Sequence, residues 1–128
     1  MTQLVLGWLL PEEDRKDLLT ILPPRYERVV AHHVTLKPGV RKDHPLPPET
    51  AGRVVGLADD GQGVQALVVE IGGTTDRPGG STYHITWSLG KGRRPVESND
   101  AIRDHGWQRL DPPRPIRLQP AVFGPGNS

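Results

Sequence analysis

Arg28-Val29-Val30-Ala31-His32-His33-Val34-Thr35-Leu36 is the stretch on which the fold turns. Its aliphatic and β-branched residues, Val29, Val30, Val34 and Leu36, make it a strand. Side chains on a strand alternate between two faces, so His33 and Thr35 share one face while Val34 and Leu36 take the other. The last four residues recur in kind as His84-Ile85-Thr86-Trp87, inside a second strand-like stretch, Ser81 to Leu89. Each strand then presents an imidazole and a hydroxyl on one face and anchors itself by aliphatic or indole groups on the other.

The surroundings of the two copies point to a β-rich domain. Leu4 to Leu10 reads as a strand buried on both sides. It is too short to cross a bilayer, and with no basic leader and with Pro11-Glu12-Glu13-Asp14 following at once it makes a poor signal peptide. Pro11 opens a helix of about three turns with acidic residues in its first turn, and Pro23-Pro24 end it. Lys37 to Thr50 is polar and proline-rich and reads as a long surface loop. Gly52 to Ala58 and Val64 to Ile71 are strands joined by a turn at Asp59-Asp60-Gly61-Gln62-Gly63. Gly72 to Gly80 is a second loop, Glu97 to Asp104 a short helix with Ser98 or Asn99 near its start, and Ile116 to Phe123 a last strand. About six strands and one or two helices result. The expected organisation is a single domain over residues 1–123, with residues 124–128 a disordered tail.

Bulk composition fits that picture and excludes several classes. A chain of 128 residues supports one core but not two full domains. Its 15 glycines and 14 prolines favour turns and short strands over a helical bundle. There is no cysteine, which removes disulfides, thiolate nucleophiles and cysteine-based zinc sites and is compatible with the cytoplasm. A net charge of +1 announces no long nucleic-acid partner, although a small anion needs only a local cluster of cations. Loops for ATP, dinucleotide or zincin chemistry are missing from the sequence.

Two imidazoles and two hydroxyls in one groove would suit phosphodiester cleavage without a metal. A neutral imidazole takes a proton from the attacking oxygen while a protonated one donates to the leaving oxygen, each worth roughly 10²–10⁴ in rate. Threonine hydroxyls donate to non-bridging oxygens, where charge gathers. A lone His-x-Thr is usually no more than a histidine and a good β-former. Two copies in a chain with five histidines, each with apolar residues at the alternate positions, make the catalytic reading the stronger one.

The two tetrapeptides resemble the signatures of the 2H phosphoesterase superfamily, which is defined by paired His-x-Thr/Ser motifs. Members include 2′,3′-cyclic nucleotide phosphodiesterases, bacterial 2′,5′ RNA ligase-like proteins and the cyclic phosphodiesterase domain of fungal and plant tRNA ligases. The segment Gly92-Arg93-Arg94-Pro95-Val96-Glu97-Ser98-Asn99-Asp100 is similar to the one that follows the second motif in the tRNA-ligase domain. The resemblance covers about Val29 to Asp100. It implies an α+β, bilobal fold in which antiparallel sheets line a central cleft and each lobe supplies one motif. His33 and His84 would be the catalytic pair, with Thr35 and Thr86 as phosphate-binding hydroxyls. It further implies a cyclic phosphodiesterase acting without cofactor on RNA ends or nucleotides that carry a 2′,3′-cyclic phosphate, His84 orienting water as base and His33 protonating the departing 3′-oxygen. A monomer with no membrane association is expected.

Lys37 and Ser88 extend the two motif faces and are candidates to bind substrate, with a solvated strand end as the plainer alternative. Arg93, in a basic cluster with Lys91 and Arg94, either contacts an RNA backbone or sits in a solvated turn. Ser98 either caps a helix whose amides face the cleft or binds substrate. His32 should point away from His33, and Tyr83 towards the core. His44 and His105 read as bystanders, and Trp8, Trp87 and Trp107 as packing. Two other functions stay open: a phosphodiesterase for a 2′,5′ linkage or a cyclic oligonucleotide, and a non-catalytic module that binds RNA ends or nucleotides in the same groove.

Overall fold

A computed structural model describes residues 4–124. It is α+β: ten strands, all paired antiparallel, and two helices among the described residues. The strands are β1 (Leu4–Leu9), β2 (Arg28–Val29), β3 (His33–Val40), β4 (Ala51–Asp59), β5 (Val64–Glu70), β6 (Asp76–Arg77), β7 (Ser81–Thr82), β8 (His84–Leu89), β9 (Gln108–Arg117) and β10 (Gln119–Phe123). The helices are α1 (Glu12–Ile21) and α2 (Glu97–His105). One curled, half-barrel sheet runs β10-β1-β3-β8-β5-β4-β9, with β2 also on β8, and β6 and β7 form a separate ribbon.

The main core lies on one face of that sheet. Trp8, Val34, Leu67, Ile85 and Trp87 are almost wholly buried there, and Leu18 brings α1 against them. Both indole nitrogens find carbonyl acceptors, Trp8 on Glu49 at 3.0 Å and Trp87 on Leu22 at 2.8 Å. The second bond ties β8 to the end of α1. Tyr83 packs edge-on against Trp8 in the same core, as the alternation around His84 predicts. The opposite face is covered in part by α2, where Ile102 packs with Val55, Ala66 and Val68.

Several elements differ from the sequence reading, each for a local reason. The expected strand Arg28 to Leu36 is broken between β2 and β3. The amides of Val30 and Ala31 still bond to the carbonyls of Trp87 and Thr86, and Val34 pairs with Ile85. Two residues, His32 and His33, are thus inserted opposite a single step of β8. Ala31 turns the chain there with φ +46°, a conformation rare for a residue with a Cβ. The expected loop from Lys37 begins later, because β3 runs on to Val40 along β1. The glycine-rich segment Gly72 to Gly80 contains β6, and the strand from Ser81 is interrupted at Tyr83. The last strand is two: β9 was hidden by Pro112, Pro113 and Pro115, which a sheet tolerates only at its edge, and β9 is an edge strand bonded to β4 alone. Neither Ser98 nor Asn99 caps α2, whose first position carries no side-chain cap. The tail expected over 124–128 lies, beyond Gly124, outside the described residues.

Candidate functional site

The seam between β3 and β8 brings the two motifs together. Val34 and Ile85 pair and both point into the main core. His33 and Thr35 on one strand, and His84 and Thr86 on the other, therefore lie on the opposite face, His33 by Thr86 and Thr35 by His84. The imidazoles are near enough for the charge of His84 to act on His33. A close approach by β1 fixes β3 in this position. Gly7 pairs with Thr35, and a Cβ on Gly7 would stand 2.1 Å from the Val34 carbonyl oxygen.

His84 is 3% exposed. Its Nδ1 lies 2.8 Å from the Thr82 carbonyl oxygen, a contact that only an N–H can satisfy. Nδ1 therefore holds the proton and Nε2 the lone pair. That Nε2 is buried with no hydrogen-bond partner among the described residues. Burial pushes the imidazole below its ordinary pKa, the Thr82 bond opposes this, and the positive charge of Arg77 adds to the lowering. His33 is pushed from 6.5 to about 4, first by burial and then by the neighbouring His32 and His84. Both rings are thus neutral at pH 7 in the free protein.

His33 lines an open cavity of about 430 Å³ together with Leu9, Val30, His32, Pro95 and Phe123. The Phe123 ring stands edge-on to the His33 ring at 4.8 Å. His32 does not point away from its neighbour, as regular alternation would require. The turn at Ala31 brings its Nδ1 within 3.0 Å of the Nδ1 of His33. Among the described residues no three His, Asp or Glu side chains are grouped to hold a metal.

The hydroxyls differ in their commitments. Thr35 is 2% exposed. Thr86 Oγ1 lies 2.8 Å from Ser98 Oγ and donates to the Pro95 carbonyl at 3.2 Å. Ser98 is fully buried on α2, so it braces the second motif rather than facing a ligand. Ser88 leaves the motif face for a network of its own: it donates to Gln65 Oε1 at 2.5 Å and accepts the Tyr26 amide at 3.1 Å, wholly buried. Lys37 pairs with Leu6 beyond a β-bulge, which transfers it to the face opposite Thr35, and it is exposed. Arg93 is a clamp. It meets Asp60 at 2.9 Å and Glu97 at 3.1 Å and donates to the Gln62 carbonyl, joining the β4–β5 turn to α2. Lys37, Ser88, Arg93 and Ser98 thus share no single surface with the histidines.

One residue near the pair was passed over in the sequence. Arg77, on β6, is half-buried, and its Nη1 lies 3.5 Å from the Thr35 carbonyl oxygen. It stands in a glycine-rich stretch whose composition signals only a loop.

No protein-family model matches this chain, no curated protein matches it, and no solved structure matches it.

Proposed function

We propose that the chain is a phosphodiesterase of the 2H type, which opens 2′,3′-cyclic phosphates of RNA ends or nucleotides by two-histidine acid–base catalysis. The observation that carries the reading is the β3–β8 seam, which sets two imidazole–hydroxyl couples side by side on one face of the sheet. The seam is held in register by a single residue pair, Val34 with Ile85. On either side of it the continuous sheet runs β10-β1-β3 and β8-β5-β4-β9, with one motif on each side, which is compatible with the two-lobed arrangement this reading expects.

In this mechanism His84 is the base. Its Nδ1–H is held by Thr82, and its Nε2, buried in the free protein, takes a proton from water once substrate entry has opened the seam beside it. The water oxygen forms the new bond to phosphorus while the bond from phosphorus to the 3′-oxygen breaks. Protonated His33 delivers its proton to that oxygen, leaving a 2′-phosphate. Thr35 steadies a non-bridging oxygen, and Thr86, braced by Ser98, keeps β8 and α2 in register around His84. The apolar wall of Leu9, Val30, Pro95 and Phe123 gives a base or ribose a surface to rest on.

The test is turnover of 2′,3′-cyclic AMP near pH 5, with the product identified by chromatography. The expected result is adenosine 2′-phosphate, no loss of rate in EDTA, and a fall of roughly 10² or more for His33→Ala or His84→Ala. A strict metal requirement, or full activity in either variant, would overturn the mechanism. A second reading draws on the neutrality of both rings: a module that binds a nucleotide without cleaving it. Nucleotide binding with no turnover at any pH, unchanged in His33→Ala, would favour it.

A further inference from the structure

Three arginines are half-buried: Arg15, Arg77 and Arg93. Arg15 has Glu12 at 3.9 Å, and Arg93 has Asp60 and Glu97. Arg77 has no carboxylate within ion-pair distance among the described residues. A guanidinium drawn partly out of water without a counter-charge is costly, and its planar fork of donors fits the oxygens of a phosphate. Among the described residues it makes one hydrogen bond, a long one, to the Thr35 carbonyl oxygen, and Thr35 stands by His84 across the seam.

A second donor stands next to it. Arg77 pairs with Ser81 in the β6–β7 ribbon, and directly paired residues share a face. The Ser81 hydroxyl is buried with no hydrogen-bond partner among the described residues, as is His84 Nε2 two strand positions beyond Thr82. A half-buried cation, an idle hydroxyl and an idle ring nitrogen are therefore gathered on one short length of chain.

We propose that Arg77 holds the phosphate: its guanidinium, reaching from β6 to the Thr35 carbonyl beside His84, takes the non-bridging oxygens of the anion, with the Ser81 hydroxyl as a second donor. This assignment rests on the catalytic reading of the histidine pair for the identity of the anion as an ester. Burial first, and the positive charge of Arg77 in addition, disfavour a proton on His84, so the same cation lies close enough to act on the base.

The experiment titrates the full chain with inorganic phosphate and with adenosine 2′-monophosphate, following the histidine ring signals by NMR, in the wild type, Arg77→Gln and Arg77→Lys. The expected result is affinity weakened about tenfold or more in Arg77→Gln, with intermediate affinity in Arg77→Lys. The His84 pKa should rise in Arg77→Gln at unchanged melting temperature. In turnover of 2′,3′-cyclic AMP, Arg77→Gln should raise KM by a similar factor. If Arg77→Gln fails to fold, Arg77→Lys carries the test, because it keeps the charge and loses the fork. Phosphate affinity equal to that of the wild type in the variants, or no phosphate binding by the wild type, overturns the assignment. Phosphate binding that depends on Arg77 in a protein that cleaves no cyclic phosphate would remove the catalytic reading and leave the anion site standing. Normal phosphate binding in Arg77→Gln together with inactive His84→Ala would do the reverse.

Discussion

His33 and His84 carry the same chemistry in unequal settings. His84 is locked by Thr82 with its lone pair on Nε2, whereas His33 borders an open cavity with its pKa near 4. If His33 is the acid, its protonated fraction in the free protein falls as pH rises past about 4, so kcat/KM should be greatest on the acid side of 6.5 and decline through neutrality. A bound phosphate favours the imidazolium, so the alkaline limb of kcat should lie at higher pH than that of kcat/KM. Coincident limbs in the two profiles would contradict this. Stability follows the same group. The native state declines a proton at His33 that the unfolded chain accepts near 6.5, so its contribution is intact above pH 6.5 and is lost as pH falls towards 4. Urea midpoints measured across that window should fall less steeply in His33→Gln than in the wild type. The motif residues were legible because each repeats a chemical pattern with apolar partners at alternate positions. His32 was not, because alternation fails at Ala31, where φ is positive. Lys37 stands apart from the histidines for a related reason: the bulge that precedes it in β3 is silent in composition and reverses the alternation at that step. Arg77 lay in a glycine-rich stretch that reads only as a loop.

The elements that hold the site are those with least slack. Ser98 joins α2 to β8 through Thr86, so Ser98→Ala should cost about 1 kcal/mol in stability. It should also lower kcat more than it raises KM, read from chemical denaturation and steady-state kinetics together. Gly7 is a point of close approach between β1 and β3. Gly7→Ala should cost about 1–3 kcal/mol by overpacking, seen as a lowered urea midpoint, and should shift the Thr35 amide in NMR spectra. Strand periodicity and the prolines around α1 made β1, α1, β4, β5 and the core of β8 readable from sequence. The ribbon of β6 and β7 and the edge strand β9 were not. Two-residue strands leave no periodicity to detect, and prolines at a sheet edge look the same in sequence as prolines in a loop.

At the scale of the molecule, one face of the sheet holds the main core and the other carries the two histidine–threonine couples. Trp87 exemplifies the first: fully buried, bonded to the end of α1, and adjacent in sequence to Thr86 on the other face. Trp87→Ala should cost about 3–5 kcal/mol by differential scanning calorimetry or denaturant unfolding. The α+β class was legible in the mixture of short strands and few helices. The strand order was not, because β10, the last strand, pairs with β1, the first, and such long-range pairing leaves no local trace. The extra length at His32 and His33 has an evolutionary consequence. Without those two residues, Ala31 opposite Thr86 and Val34 opposite Ile85 would be consecutive rungs, and β2 could zip into β3 along β8. Such a shortened chain would keep its Trp8 and Trp87 core yet own no imidazole on that strand. On the proposed reading, shape and activity are therefore separable by a six-nucleotide deletion. A lineage that lost its need for the chemistry could discard the kink and go on folding as a scaffold.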